Sequence, residues 1–76
     1  MSTEQLEPWQ IRQRMFVRSI RIKCAERDMT DFDFGRESGI GPNNWAQMRL
    51  LKKPMKLEEM VKAAQAVGCT LSLHIS

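Results

Sequence analysis

Cysteine and histidine are scarce in this chain. It holds two cysteines, Cys24 and Cys69, and a single histidine, His74, with no C-x-x-C pair. Two scattered thiols are too few for a disulfide framework and leave no ligand set for a structural zinc site. They read as small buried hydrophobes in a reducing cytosol. No apolar run is long enough to span a bilayer and no signal-peptide pattern is present. A membrane role is therefore not expected, and the expected compartment is cytoplasmic. No Ser–His–acid or Cys–His constellation has a recognisable spacing, and no phosphate-binding loop occurs. Gly39-x-Gly41 is turn chemistry, not a dinucleotide fingerprint. The expectation is a protein that is not an enzyme and carries neither cofactor nor metal.

What the chain does have is unevenly placed charge. The formal net charge is +3 over 76 residues, which permits nucleic-acid binding without demanding it. Arg12, Arg14, Arg18, Arg21, Lys23 and Arg27 crowd the first third, and Arg49, Lys52, Lys53 and Lys56 form a second cluster. Between them lies an acidic stretch of Glu26, Asp28, Asp31, Asp33 and Glu37. A chain this short makes a single domain that buries barely enough surface to fold alone, so oligomerisation is expected.

Hydrophobic periodicity supplies the elements. Residues 1–7 are polar and expected to be flexible. Pro8 starts a helix running to about Arg27, with Ile11, Met15, Phe16, Ile20 and Cys24 at helical spacing and Val17 and Ile22 widening the stripe. Arg14, Arg18 and Arg21 share another face, either solvated or in contact with phosphate. Thr30 is an N-cap, and Asp33 three residues on approximates a capping box, for a helix over 31–37. A second short helix is expected from Pro42 to about Leu51, then a linker over 52–55. Leu57, Met60, Val61 and Ala64 form the buried stripe of a last helix, which Gly68 ends. Met15, Met29, Met48, Met55 and Met60 read as gap-filling core. From Cys69 the period changes to two: Leu71, Leu73 and Ile75 alternate with polar residues, His74 among them, and predict a strand over 69–75. A lone apolar strand needs a partner, and the same strand of a second copy is the simplest one, which makes Leu71, Leu73 and Ile75 the expected dimerisation residues.

Residues 31–51 have the spacing of a helix-turn-helix. Gly35 is small where a second helix must cross closely, and Gly39 stands where a sharp turn needs positive φ. Phe34, Ile40, Trp45 and Met48 take the buried positions that lock two short helices together. Trp45 is expected to be mostly buried, with its indole N–H satisfied locally. Asn43, Asn44 and Gln47 then lie on the outer side of the second helix. Asn and Gln suit adenine edges in a major groove; Arg49 suits guanine or a phosphate; Lys52 and Lys53 suit backbone contacts that position without specifying.

In these residues, and in the Lys52-Lys53-Pro54 linker and the amphipathic helix ending in Val67-Gly68, the stretch 20–68 resembles the lambda-repressor-like (Cro/C1 or XRE-type) helix-turn-helix family. The resemblance implies an all-α, five-helix domain that binds operator DNA as a dimer, with the second motif helix in the major groove. Some members, antitoxin subunits among them, end in a strand that forms an intersubunit sheet. Three positions depart from the family pattern. Asp31 replaces a Gln that bonds phosphate and would repel it, Ser38 replaces an apolar residue before the turn glycine, and Lys56 replaces a Ser or Thr cap. The expected function is sequence-specific binding of double-stranded DNA by a homodimeric repressor on an inverted-repeat operator. The alternative, favoured by the acidic stretch 26–37, is a protein-interaction module such as an antitoxin that neutralises a toxin, with DNA binding secondary.

Overall fold

The computed structural model describes residues 6–68. Four α-helices follow in order: α1 (Pro8–Glu26), α2 (Asp31–Ser38), α3 (Pro42–Arg49) and α4 (Leu57–Ala66). The expected five-helix domain with a C-terminal strand is corrected by this: among the described residues there are four helices and no strand. Periodicity accounts for all four, and the fifth came only with the family resemblance. The connectors 27–30, 39–41 and 50–56 leave it no room, being taken up by helix caps and turns. The stretch 69–75, with Leu71, Leu73 and Ile75, lies outside the described residues, as do residues 1–5 and His74.

Local chemistry sets each boundary. Pro8 opens α1, and the Glu7 N–H donates to Gln10 Oε1 at 2.8 Å. At the other end the N–H of Met29 donates to Cys24 O (2.9 Å) and that of Asp28 to Ala25 O (3.2 Å), with Asp28 left-handed at φ +55°. This double closure is a Schellman motif, with Asp where Gly is usual. Thr30 caps α2 as expected: its hydroxyl accepts from the Asp33 N–H at 3.0 Å. Gly39 then turns the chain at φ +81°. Ser38 explains itself here, because its buried hydroxyl donates to Gly35 O and accepts from the Ile40 N–H. Lys56 offers α4 no side-chain cap, and Glu59 instead takes the Lys56 N–H at 2.8 Å.

Helix α3 stops at Arg49, short of the expected Leu51. A second Schellman closure ends it, with Lys52 N–H on Gln47 O (2.9 Å) and Leu51 N–H on Met48 O (3.1 Å). Leu51 is the left-handed residue, at φ +63°. A branched side chain there costs roughly 1–2 kcal/mol, so neighbouring contacts must hold it.

Trp45, Phe34 and Met48 are the largest fully buried side chains, and the rings of Phe34 and Trp45 lie 4.5 Å apart at 57°. Val17, Ile20, Cys24, Ile40, Met55, Ala63 and Val67 surround them. Helix α2 packs on both α3 and α4. Gly35 permits the first of these contacts: a Cβ built on it would lie 2.6 Å from Pro42 Cα.

Two expected stripes hold only in part. On α1 the buried series is Gln13, Val17, Ile20 and Cys24, while Ile11, Met15 and Ile22 are exposed, so Met15 is not core. On α4 Ala64 is buried as expected and Met60 packs against the core, Ala63 and Val67 join them, and Leu57 is exposed. Both errors have one cause. Spacing of apolar residues alone passes over the glutamine on α1 and the small Ala63 on α4, which the packed face includes.

Gln13 is 2 % exposed and hydrogen-bonded in full. Its Nε2 donates to Met48 O (2.9 Å) and Lys53 O (2.8 Å), and its Oε1 accepts from the Met55 N–H (2.7 Å). Replacing it by leucine keeps the bulk but orphans the Lys53 carbonyl and the Met55 N–H, while Met48 O keeps the Leu51 N–H. Gln13→Leu is expected to lose about 3 kcal/mol or more in urea denaturation, since each buried unpaired group costs roughly 1–3 kcal/mol. In the same assay Gly35→Ala should cost about 1–3 kcal/mol through its backbone clash. Gly39→Ala, which meets no atom and suffers only from its positive φ, should cost about 1 kcal/mol.

Candidate nucleic-acid interface

Helix α3 is mounted by the Gly35–Pro42 approach and by burial of Trp45 and Met48. Residues two positions from a buried one face the other way, which turns Asn43 and Gln47 outward one helical turn apart. Both are exposed, and among the described residues their side-chain amides make no hydrogen bond. These two carry all their donors and acceptors to the surface.

Asn44 is exposed but already engaged. Its Nδ2 donates to Ile40 O at 3.2 Å and its Oδ1 accepts from Lys53 Nζ at 3.0 Å. The pair ties Lys53 back to the start of α3, whereas Lys52, just past the helix, has no side-chain partner among the described residues. Arg49 lies half a turn from Gln47 and points towards α1. Its Nε is 3.6 Å from Asp31 Oδ2, and it lines a groove with Arg14, Arg18 and Arg21. The six expected contact residues thus divide. Asn43, Gln47 and Lys52 are free, Asn44 and Lys53 hold each other, and Arg49 belongs to another surface.

Asp31 links the two surfaces. Trp45 Nε1 donates to its Oδ1 at 3.3 Å, so the buried indole is satisfied locally as its position requires. Its Oδ2 meets Arg21 at 3.4 Å and Arg49 at 3.6 Å. The charge that would repel a phosphate at the start of α2 is therefore countered by two guanidinium groups. The other acids have different settings, and of these only Glu26 meets a cation among the described residues. Glu26 faces Lys23, Asp28 closes α1, and Asp33 caps α2.

Other chemistry finds little support in the geometry. Burial pushes the Cys24 thiol up from its ordinary value, with Asp31 adding to the shift and Arg21 and Arg27 opposing it. It stays a protonated core residue, as expected; Cys69 lies outside the described residues. Among the described residues no group of His, Cys, Asp and Glu is arranged to hold a metal, and no helix is long and apolar enough to cross a membrane. Comparison with family models, characterised proteins and solved structures finds no match.

Sequence reasoning missed Gln13, which fixes the loop behind α3, and the convergence of Arg49 with the α1 arginines. A signal for Gln13 was present: it continues the series Val17, Ile20, Cys24 backwards at helical spacing. Asp31 separates the two roles proposed for it. Asp31→Asn keeps an acceptor for the indole and loses an ion pair with the exposed Arg21 and a partly buried one with Arg49, so it should cost about 1 kcal/mol. Asp31→Ala leaves the indole N–H unpaired and should cost roughly 1–3 kcal/mol. Thermal melts followed by tryptophan fluorescence would distinguish them; equal losses for both would mean that the carboxylate charge, not the hydrogen bond, is what matters.

Proposed function

We propose that this protein is a helix-turn-helix DNA-binding module of the lambda-repressor-like type, reading sequence through α3 and acting as a transcriptional repressor. The observation that carries the reading is the pair of unengaged amides, Asn43 and Gln47, one turn apart on the exposed face of α3. An α-helix of this kind fits a major groove about 12 Å wide, and Asn or Gln makes a bidentate pair with adenine. Lys52 follows where a phosphate contact would fix register. Asn44 and Lys53 act as positioning residues for that face. The reading includes a homodimer on an inverted repeat, its half-sites about 34 Å apart. It involves no catalysis.

A second reading, a protein-interaction module such as an antitoxin, is favoured by the outward face of α1, where large apolar side chains lie exposed among arginines. Heparin retention with a salt titration separates the two. Tight, steeply salt-dependent retention supports DNA binding, and early elution supports the interaction module.

Sequence selection from a random duplex pool, followed by anisotropy titrations, tests the docking. Gln47→Ala should cost about 1–3 kcal/mol at the selected site and relax base preference at one position. Lys52→Ala should weaken selected and random duplexes alike and lower the salt slope by about one. A protein whose affinity for the selected duplex survives both substitutions does not read DNA through α3.

A further inference from the structure

Helix α1 carries apolar side chains on two opposite sides. Gln13, Val17, Ile20 and Cys24 face the core. Half a turn away, Ile11, Met15 and Ile22 are 49 %, 66 % and 53 % exposed, and Arg18 completes their stripe. Flanking this stripe, Arg14, Arg18 and Arg21 line an open groove of about 480 Å³ with Ile22, and Arg49 closes it from α3. The anion at this edge is Asp31, already shared by Arg21, Arg49 and the Trp45 indole. Arg14 and Arg18 have no acidic partner among the described residues.

We infer that the outward face of α1 docks an acidic amphipathic helix of a partner protein. Its carboxylates meet Arg14 and Arg18, and its apolar side chains cover Ile11, Met15 and Ile22. The combination of chemistries selects this occupant. A helix laid along another helix reads anchors at i, i+4, i+7 and i+11, the spacing of Ile11, Met15, Arg18 and Ile22. A phosphate backbone would use the arginines but offers nothing to isoleucine and methionine side chains, which stay in water whenever a phosphate is bound. A second copy of this chain would lay Arg14, Arg18 and Arg21 against their own counterparts, and like charges across an interface cost several kcal/mol. An acidic helix removes both problems together. Methionine suits the centre of such a face, because its flexible thioether adapts to a range of partner side chains. The inference rests on α1 alone and stands or falls separately from DNA reading by α3.

The test uses the full chain and a labelled helical peptide as long as α1, with Glu and Leu on one face. Two control peptides accompany it, one with Ser in place of every Leu and one with the same residues scrambled. In anisotropy titrations the amphipathic peptide should bind at least about tenfold more tightly than either control, a difference of about 1.4 kcal/mol. Arg18→Glu and Met15→Asp should each weaken it by a similar factor, while Asn43→Ala leaves it unchanged. Both α1 positions are exposed, and circular dichroism melts check that the variants fold. Equal binding of the Ser peptide would overturn the inference in favour of a plain anion surface, and a random DNA duplex that displaces it would identify that anion as phosphate. A concentration-dependent dimer in sedimentation that Met15→Asp dissolves would give the face to a second copy. Absence of peptide binding would also overturn it.

Discussion

One buried amide holds the region on which any reading of α3 depends. Gln13 donates to Met48 O in the last turn of α3 and to Lys53 O beyond it, and accepts from the Met55 N–H. The segment after α3 has little regular structure of its own, and without Gln13 the Lys53 carbonyl and the Met55 N–H would lose their partner. Gln10 adds a donor to Leu51 O at 3.2 Å. Two glutamines one helical turn apart thus bind the loop 48–55 along the inner side of α1. The left-handed Leu51 is tolerated because the loop is pinned on both sides of it. Local strain of this kind persists only where the surroundings over-determine the conformation.

The loop in turn fixes where the basic residues stand. Lys52 is the residue whose N–H completes the Schellman closure of α3, so its side chain is placed directly off the helix end. Lys53, whose carbonyl Gln13 holds, reaches back to Asn44. A purely apolar contact in place of the glutamine would bury comparable area but would not define these positions, since dispersion and hydrophobic forces are non-directional. The hydrogen-bonded network specifies the geometry because every member is satisfied.

Much of this was legible in the chain. Thr30 with Asp33, Gly39, Pro42 and Gly68 mark helix ends through strong local chemistry, and the structure places each of them where that chemistry requires. The buried set Phe34, Ile40, Trp45 and Met48 follows from spacing within two short helices. Asp28 and Leu51 were not legible as turn residues, because neither is the glycine that a left-handed cap normally uses, and tertiary contacts decide their conformation. The buried face of α1 was legible in part: Val17, Ile20 and Cys24 fall where spacing puts them, but a polar residue joins them and Ile11 and Ile22 sit outside. Periodicity ranks residues by hydropathy, and a glutamine with three partners inside is invisible to that ranking. The division of the candidate site was hidden for a related reason. Asn43, Asn44, Gln47 and Arg49 are alike in sequence, and only the positions of Ile40, Lys53 and Asp31 determine which of them are already engaged.

The same helix therefore has two separate roles. Its inner side, through Gln10 and Gln13, fixes the end of α3. Its outer side presents Ile11, Met15 and Ile22 among arginines. Asp31 lies where these territories meet. It satisfies the indole of Trp45 beneath α3 and draws Arg21 and Arg49 to the edge of the groove. With Arg21 and Arg49 drawn to Asp31, the groove's remaining unpaired arginines among the described residues are Arg14 and Arg18, beside the exposed apolar residues of α1. With the indole satisfied from below, Trp45 has no polar group left to present, and the exposed face of α3 is left to Asn43 and Gln47.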